Sequence, residues 1–401
     1  MDEASHVRVS GPLEPFTLGF RRELAFRGYT PGSAAQQLRL VGRLSRWLAD
    51  RQRDVREITP EQIEQFISAR REEGYRHWIS PQALLPLLDY LCSIGALAAP
   101  PAAVLSPMEE ILERYTEFMV SERALAEETI RHYLHTARIF LETRENQGHL
   151  DLEKLNAKEI GQFILDKCSP SNVGSAKKIV VGLRSLLQFL YLECITAESL
   201  TGAVPGVSGW RGSSVPKGID AQAVKRLLVS CDRRTTLGRR DFAVLMLLVR
   251  LGLRANEVAT LELSDIDWRH GEIVIRGKGN RIDQLPLPVE VGDALTEYVC
   301  KGRPQTEHTV VFLRAVAPRC GLSASGIAEI VRAACMRTGL PQIGAHRLRH
   351  TLASEMLRSG AGLGEIGQLL RHRNIDTTAI YAKVDATALS KLARPWPGGV
   401  A

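Results

Sequence analysis

The sequence lacks the features that would place the protein outside the cell or in a membrane. Its seven cysteines are odd in number and no two stand at CxxC spacing, so neither a disulfide framework nor a structural zinc site is expected. The longest apolar run, residues 242–249, is too short to span a bilayer. Residues 1–12 are polar and acidic, unlike a signal peptide. We therefore expect a cytoplasmic protein with no bound metal and no membrane partner.

A small excess of positive charge narrows the class of partner. The 401 residues include 52 Lys and Arg against 45 Asp and Glu, a formal net charge of +7. Clustered Lys and Arg side chains bind phosphates, so this balance fits a nucleic-acid-binding protein without establishing one. With 44% hydrophobic residues the chain can build substantial cores, and its length predicts two or three domains.

Two stretches rich in Pro, Gly and Ser, residues 95–107 and 201–218, are typical of linkers. They predict three domains, at residues 1–98, 105–200 and 217–401.

The first two of these blocks carry similar helical patterns in the same order. The segment ITPEQIEQFI from Ile58 matches LNAKEIGQFI from Leu155 at an offset of 97 residues, and similar apolar stripes precede and follow it. We interpret the first block as a duplicate of the second. The alternative is that any two small helical bundles share such stripes.

The third block mixes helical patterns, one of them over residues 255–263, with one stretch of alternating residues. The segment EIVIRGKGNRIDQLPLP, residues 272–288, is typical of two strands joined by a Gly-Lys-Gly-Asn turn. The predicted fold class is therefore mostly α with a small antiparallel β-sheet. An α+β C-terminal domain would follow two helical bundles.

The third block also contains the groups needed to break a phosphodiester without metal or water. Such a reaction needs a nucleophile, cations for the non-bridging oxygens and a proton for the leaving oxygen. Arg suits the oxygens because its planar fork pairs two donors with phosphate. Tyr suits the nucleophile because its phenol loses a proton more easily than Ser or Thr, and its ester can be reversed. The candidates are, in chain order, Arg254, Lys278, His346, Arg349, His372 and Tyr381.

This order of Arg, Lys, HxxR, His and Tyr resembles the catalytic signature of the tyrosine recombinase (phage integrase) family, with most similarity to integrases of bacterial mobile elements. The second block resembles the family's SAM-like core-binding domain, and the first would be another bundle of that type. The resemblance implies a site-specific DNA recombinase that uses a 3′-phosphotyrosyl intermediate and no cofactor. It also implies double-stranded DNA as partner and a homotetramer on two duplexes. A need for partner recombinases stays open.

The resemblance assigns a role to each charged group and to the nucleophile. Arg254 and Arg349 would hold the scissile phosphate. Lys278 would protonate the leaving 5′ oxygen, and Tyr381 would attack phosphorus.

The resemblance gives the remaining groups supporting roles. His346 would bond to the phosphate and help to accept the tyrosine proton, and His372 would support the phosphate. Glu257, three residues after Arg254 on one helical face, would orient the site. In one departure from the family, Arg371 stands where a glycine usually precedes the histidine.

Five further basic residues are candidates for DNA binding. Lys177, Lys178 and Arg184 share one predicted helix of the second block, which would face DNA in the family. A solvated helix face is the alternative. Arg281 and Arg347 flank the predicted catalytic residues of the third block.

A metal site and two other function classes were weighed against this interpretation. His346 and His350 have the spacing of metal ligands, but Arg347 stands where the HExxH motif has Glu. We therefore expect His350 to be a packed histidine or one that supports the catalytic residues. A non-catalytic DNA-binding accessory would not need the nucleophile. A type IB topoisomerase would share the chemistry, but two recombinase-like bundles disfavour it.

Overall fold

The computed structural model describes most of the chain, and the described ranges are residues 7–97, 105–146, 149–168, 173–207, 218–277, 281–372 and 375–381. The chain divides into two compact units, one formed by residues 99–213 and the other by residues 1–98 together with 214–401. Within the described ranges, no helix combines the length and apolarity that a membrane crossing requires.

The N-terminal bundle buries its own apolar core. Its helices are α1 (Thr17–Phe26), α2 (Pro31–Asp50), α3 (Pro60–Glu72) and α4 (Leu85–Ser93). The side chains of Thr30 and Thr59 cap the first turns of α2 and α3, and a proline follows each threonine at the first helical position. The amphipathic face of α2 then packs residues such as Leu38 and Leu44 into the core.

The described residues of the second unit also form a bundle of helices. They are α5 (Pro107–Glu117), α6 (Glu127–Glu142), α7 (Ala157–Cys168) and α8 (Val173–Leu192). A short hairpin, β1 (Glu145–Asn146) and β2 (His149–Leu150), joins α6 to α7 and was not predicted. The two bundles share their helix order, but α4 has 9 residues and α8 has 20. The duplication stays a prediction.

The third block surrounds a small sheet with helices. The helices are α9 (Ala221–Val229), α10 (Thr236–Arg250), α11 (Ala255–Ala259), α12 (Val289–Lys301), α13 (Ala324–Thr338), α14 (Ala345–Arg358), α15 (Leu363–Leu369) and α16 (Ile375–Ala379). The strands are β3 (Ile266–Asp267), β4 (Glu272–Gly277) and β5 (Arg281–Pro286). All pairs are antiparallel, with Val274 opposite Gln284. Ile273 and Ile275 point into the core. The predicted fold class is confirmed.

One predicted element is wrong in its length. The pattern from Ala255 to Leu263 predicted a single helix, but α11 ends at Ala259. Beyond it the backbone pairs with another loop instead: the Leu263 N–H donates to the Thr309 carbonyl, and Leu261 accepts from the Val311 N–H. Tertiary pairing therefore overrides the local helical preference.

The N-terminal bundle contacts the third block at one close approach. The Arg319 N–H donates to the carbonyl of Arg27, with 3.0 Å between N and O. The next residue, Gly28, has φ +78°, and a Cβ there would lie 2.5 Å from Cδ of Arg319. A glycine is therefore needed both for the backbone conformation and for the contact.

Helix α10 offers a direct test of the core of the third block. Leu247 is fully buried on this helix, whereas Leu237 on the same helix is 49% exposed. We expect Leu247→Ala to lower the free energy of unfolding by about 2–5 kcal/mol, because it removes buried methyl groups and leaves a cavity. Leu237→Ala should change it by less than about 0.5 kcal/mol. Urea unfolding followed by Trp fluorescence measures both, and equal effects would contradict this packing.

Candidate active site

Arg349 joins two loops of the third block. Its side chain is 1% exposed, and its guanidinium donates to the backbone carbonyls of Gly252 and Leu370. Gly252 has φ +58°, and a Cβ there would lie 2.8 Å from the Leu370 side chain. The glycine of the LGLR motif thus allows the turn that presents its carbonyl to Arg349.

Glu257 is a buried carboxylate that accepts from two arginines. Its Oε1 accepts from the Arg254 guanidinium at 2.6 Å. Its Oε2 accepts from the Arg254 backbone N–H at 2.8 Å and from the Arg371 guanidinium at 2.7 Å. Burial alone would raise the pKa of Glu257, but the two arginines and the backbone donor lower it below its usual value. The carboxylate therefore stays ionised and fixes both guanidinium groups.

Arg371 occupies the position where the family usually has glycine. Its φ is +53°, in the left-handed region that favours glycine. Its side chain is only 5% exposed and lies against Glu257, with Asp283 4.0 Å away. The ion pair with the buried carboxylate compensates for the unfavourable backbone conformation, which explains how an arginine fits here.

The centre of the site carries more positive than negative charge. Burial and the nearby charges of Arg254 and Arg371 together lower the pKa of Arg349 to about 10, against the opposing effects of Glu257 and Tyr381. Nε of Arg349 and Nε of Arg371 are buried and have no hydrogen-bond partner in the described part of the chain. An anion entering this site would be attracted by the surplus charge and would find unused donors.

Tyr381 lies against this cluster with its hydroxyl on His350. The side chain is 1% exposed, and its oxygen lies 2.8 Å from Nδ1 of His350. Burial raises the pKa of the phenol, although Arg349 opposes the shift. Burial, His346 and Arg349 lower the pKa of His350 to about 4. At neutral pH the imidazole is therefore uncharged, and in the tautomer that carries its proton on Nε2 the hydroxyl donates to Nδ1.

Two more histidines complete the surroundings of the phenol. The His372 ring is nearly parallel to that of Tyr381, with 6.3 Å between centroids, and its Nδ1 lies 2.7 Å from Oγ1 of Thr378. Burial, Arg349 and Arg254 lower the pKa of His372 to about 4. His346 is exposed at the edge, where partial loss of hydration and the same two arginines lower its pKa. Both rings are therefore neutral at pH 7.

The structure brings most of the predicted site residues together. Those that meet are Arg254, Glu257, His346, Arg349, His372 and Tyr381. Lys278 lies outside the described residues. Arg281 is exposed at the start of β5, and Arg347 is half-buried on α14.

The predicted DNA-binding residues of the second unit differ in their surroundings. On α8, Lys178 is exposed and Lys177 is half-buried. Arg184 instead donates to the Val204 carbonyl at 2.7 Å, so part of its guanidinium holds its own bundle together. A DNA-binding role for these residues stays a prediction.

Sequence reasoning gave too little weight to two residues of the site. The sequence predicts His346 as the histidine that helps to accept the tyrosine proton and His350 as a packed or supporting histidine, but the hydroxyl contacts His350. Arg371 was noted as a departure and not as a partner of Glu257. A signal was available for Arg371, because an arginine in a position that favours glycine needs a compensating interaction.

Two family models match the chain. The model described as the phage integrase family matches residues 217–388, and the model of the phage integrase N-terminal SAM-like domain matches residues 112–193. The fold and site thus define a tyrosine recombinase, and the chain belongs to the phage integrase family. Neither match reaches the N-terminal bundle.

Individual relatives agree with this family. The Sinorhizobium fredii protein y4rA, whose name describes a candidate integrase/recombinase, is 40% identical over 97% of this chain and 95% of its own length. The tyrosine recombinase XerD of Listeria monocytogenes is 29% identical over 69% of this chain and 95% of its own length.

Two solved structures share the fold. One is the XerH site-specific recombinase bound to its palindromic difH substrate, with a TM-score of 0.54 and 17% identity over 74% of this chain and 99% of that one. The other is a lambda integrase dimer bound to a core site, with a TM-score of 0.53 and 17% identity over 73% and 98% of the two chains.

The pair of Arg371 and Glu257 can be tested by its effect on stability. We expect Arg371→Met to lower the free energy of unfolding by about 3–5 kcal/mol, because it leaves a buried carboxylate with one arginine instead of two. In the double variant Arg371→Met/Glu257→Gln the loss should be smaller than the sum of the single losses. Denaturant unfolding of all four proteins gives the coupling energy.

An exposed ion pair of the same chain provides the control. Arg53 and Glu57 are each about half exposed, so Arg53→Met should cost less than about 1 kcal/mol. A coupling energy near zero for Arg371 and Glu257 would show that the buried pair does not hold the site.

The half-buried His350 and His372 predict a loss of stability in acid. Their pKa values in the folded protein are about 4, against 6.5 when unfolded, so between these values the unfolded chain binds more protons. Stability should therefore fall as pH drops from about 6.5 to about 4. Thermal unfolding across this range should show a smaller dependence on pH for His350→Gln/His372→Gln.

The control is His270, an exposed histidine whose pKa Asp267 raises, so its contribution has the opposite sign. His270→Gln should not reduce the acid sensitivity. If the double variant kept the full acid sensitivity, the two rings would not be the groups that titrate.

Proposed function

We propose that the protein is a site-specific DNA recombinase in which Tyr381 attacks a phosphodiester of double-stranded DNA. The observation that carries the proposal is the buried phenol beside a surplus of guanidinium groups. Arg254, Arg349 and Arg371 surround one fully buried carboxylate, Glu257. This arrangement suits a phosphate, because its non-bridging oxygens pair with the planar donors of arginine.

The proposed cleavage step uses groups of this chain and no cofactor. The Tyr381 oxygen bonds to phosphorus, and the bond from phosphorus to the 5′ oxygen breaks. The phenol proton passes to Nδ1 of His350, which lies 2.8 Å from the hydroxyl oxygen and accepts in the tautomer protonated on Nε2. The leaving oxygen takes its proton from Lys278, a role supported by the resemblance to the family. Arg254 and Arg349 stabilise the charge that develops on the phosphate oxygens.

The neutral histidines support this assignment of roles. A base must be unprotonated to accept a proton, and the pKa of His350 is about 4. His346, 4.5 Å from His350 between ring centroids, lies at the exposed edge and bonds to the phosphate in this proposal, as does His372.

Rejoining reverses the same chemistry. A free 5′ hydroxyl from the partner duplex attacks the phosphotyrosine, so the energy of the broken bond is retained. We place four protomers on two duplexes in the cytoplasm, and a mobile element as the source of the DNA ends. Support for DNA as substrate comes from the two similar solved proteins, both of which are bound to DNA.

A trapping experiment tests the nucleophile. The full-length protein is incubated without metal with a duplex nicked near the cleavage position, so that a short fragment leaves and rejoining is blocked. Candidate end sequences of the element serve as substrates. We expect a denaturant-resistant adduct of protein and DNA, at least 100-fold reduced in Tyr381→Phe.

A matched variant separates this effect from a general loss of tyrosine. Tyr191 is 41% exposed in the second unit, and Tyr191→Phe should form the adduct at the rate of the unchanged protein. An adduct that persists in Tyr381→Phe would contradict the proposal. Relaxation of supercoiled plasmid at random sites would favour the topoisomerase, and inertness on every substrate would favour a DNA-binding accessory.

A further inference from the structure

The N-terminal bundle carries a groove lined by arginines that the proposed reaction does not use. A cavity of about 280 Å³ lies between the start of the described chain and α2. We call it the arginine groove, and its lining residues are Val7, Arg8, Ser10, Arg39, Gly42, Arg43 and Arg46. It is far richer in positive charge than the apolar cavities that bind most small molecules.

The sequence around the groove lacks the residues that would neutralise it. Residues 24–49 contain no Asp or Glu, although four arginines line the groove. In the described part of the chain, no ion pair is formed by Arg8, Arg39, Arg43 or Arg46. A typical solvated helix face would interleave both signs of charge. This groove therefore presents uncompensated charge to solvent.

The choice of basic residue also favours phosphate. Every Lys or Arg before Lys154 is an arginine. Arginine presents a rigid planar fork that pairs with phosphate oxygens. A surface that contacts only water would not favour arginine over lysine. Arg39, Arg43 and Arg46 follow one another at the spacing of a single helix face.

An aromatic residue holds part of this charge in place. The guanidinium groups of Arg43 and Arg70 each lie 4.3 Å from the centre of the Tyr75 ring. Burial lowers the pKa of Arg70, and the like charge of Arg43 lowers it further. The stacking fixes Arg43 at the groove despite this repulsion, so the donors are ordered before a ligand arrives.

We propose that the arginine groove binds the sugar-phosphate backbone of duplex DNA outside the site of cleavage. The line from Arg39 to Arg46 extends over seven residue steps of α2, about 10 Å, which exceeds the size of one phosphate group. A chain of phosphates fits this length better than a single small anion. Because the contacts are to the backbone, the groove contributes affinity and position without reading sequence.

The inference rests on the proposed function for the identity of the nucleic acid, and its test is a measurement of DNA binding. Full-length protein is titrated with fluorescent duplexes over a range of salt concentrations. Each phosphate contact contributes about 0.9 to the slope of log affinity against log salt. We expect Arg39→Gln/Arg46→Gln to weaken binding and to reduce that slope by about 2.

The control removes the same charge elsewhere in the bundle. Arg53 pairs with Glu57 and does not line the groove, so Arg53→Gln should leave the slope unchanged. Thermal unfolding checks that the variants are folded. An unchanged slope in the double variant, or an equal change in Arg53→Gln, would overturn the proposal.

A competition experiment distinguishes DNA from a small anion as the ligand of the arginine groove. Inorganic phosphate at the same ionic strength as the chloride buffer should not displace the duplex from the unchanged protein. Displacement by phosphate that the double variant no longer shows would assign the groove to a small anion and overturn the proposal.

The adduct at Tyr381 is scored in the same preparations. If the adduct forms but Arg39→Gln/Arg46→Gln does not change DNA binding, the proposed role of the groove is wrong and the proposed function stands. If Arg39→Gln/Arg46→Gln weakens DNA binding but the unchanged protein forms no adduct, the proposed function is wrong and the proposed role of the groove stands.

Discussion

The site depends on one buried carboxylate that holds two guanidinium groups. Glu257 accepts from both Arg254 and Arg371, and the neighbouring Arg349 is held by backbone carbonyls. Three positive charges this close would repel one another in an apolar interior without such partners. Because the carboxylate neutralises only part of the charge, the arrangement is both stable when empty and attractive to phosphate.

Burial of the site also determines the protonation states of the Tyr381 nucleophile and of the histidines around it. Burial keeps Tyr381 protonated and His350 neutral, so an uncharged imidazole already lies in hydrogen-bond contact with the hydroxyl. A phosphate drawn to the arginines would favour loss of the phenol proton, since the proton can move to a base that is already hydrogen-bonded. Substrate binding and activation of the nucleophile are thus linked through one cluster of charges.

The sequence predicted the parts of this account that depend on local patterns. Alternation over residues 272–288 predicted the β4–β5 hairpin, and the motif order predicted that Arg254, Arg349 and Tyr381 would meet. It did not predict β3, whose 2 residues are too few to show an alternating pattern. It also did not predict the end of α11 at Ala259, because the residues that follow pair with a distant loop at Thr309 and Val311. The contact of His350 with Tyr381 was missed for the same reason: it joins residues 31 positions apart in the chain.

Peptide mapping of the trapped adduct tests the central claim most directly. After nuclease and protease digestion, mass spectrometry identifies the side chain that carries the residual nucleotide phosphate. We predict a single modified peptide with the phosphate on Tyr381, formed in the presence of a metal chelator. A phosphate on any other residue, or cleavage that needs a metal and leaves no modified peptide, would contradict the account.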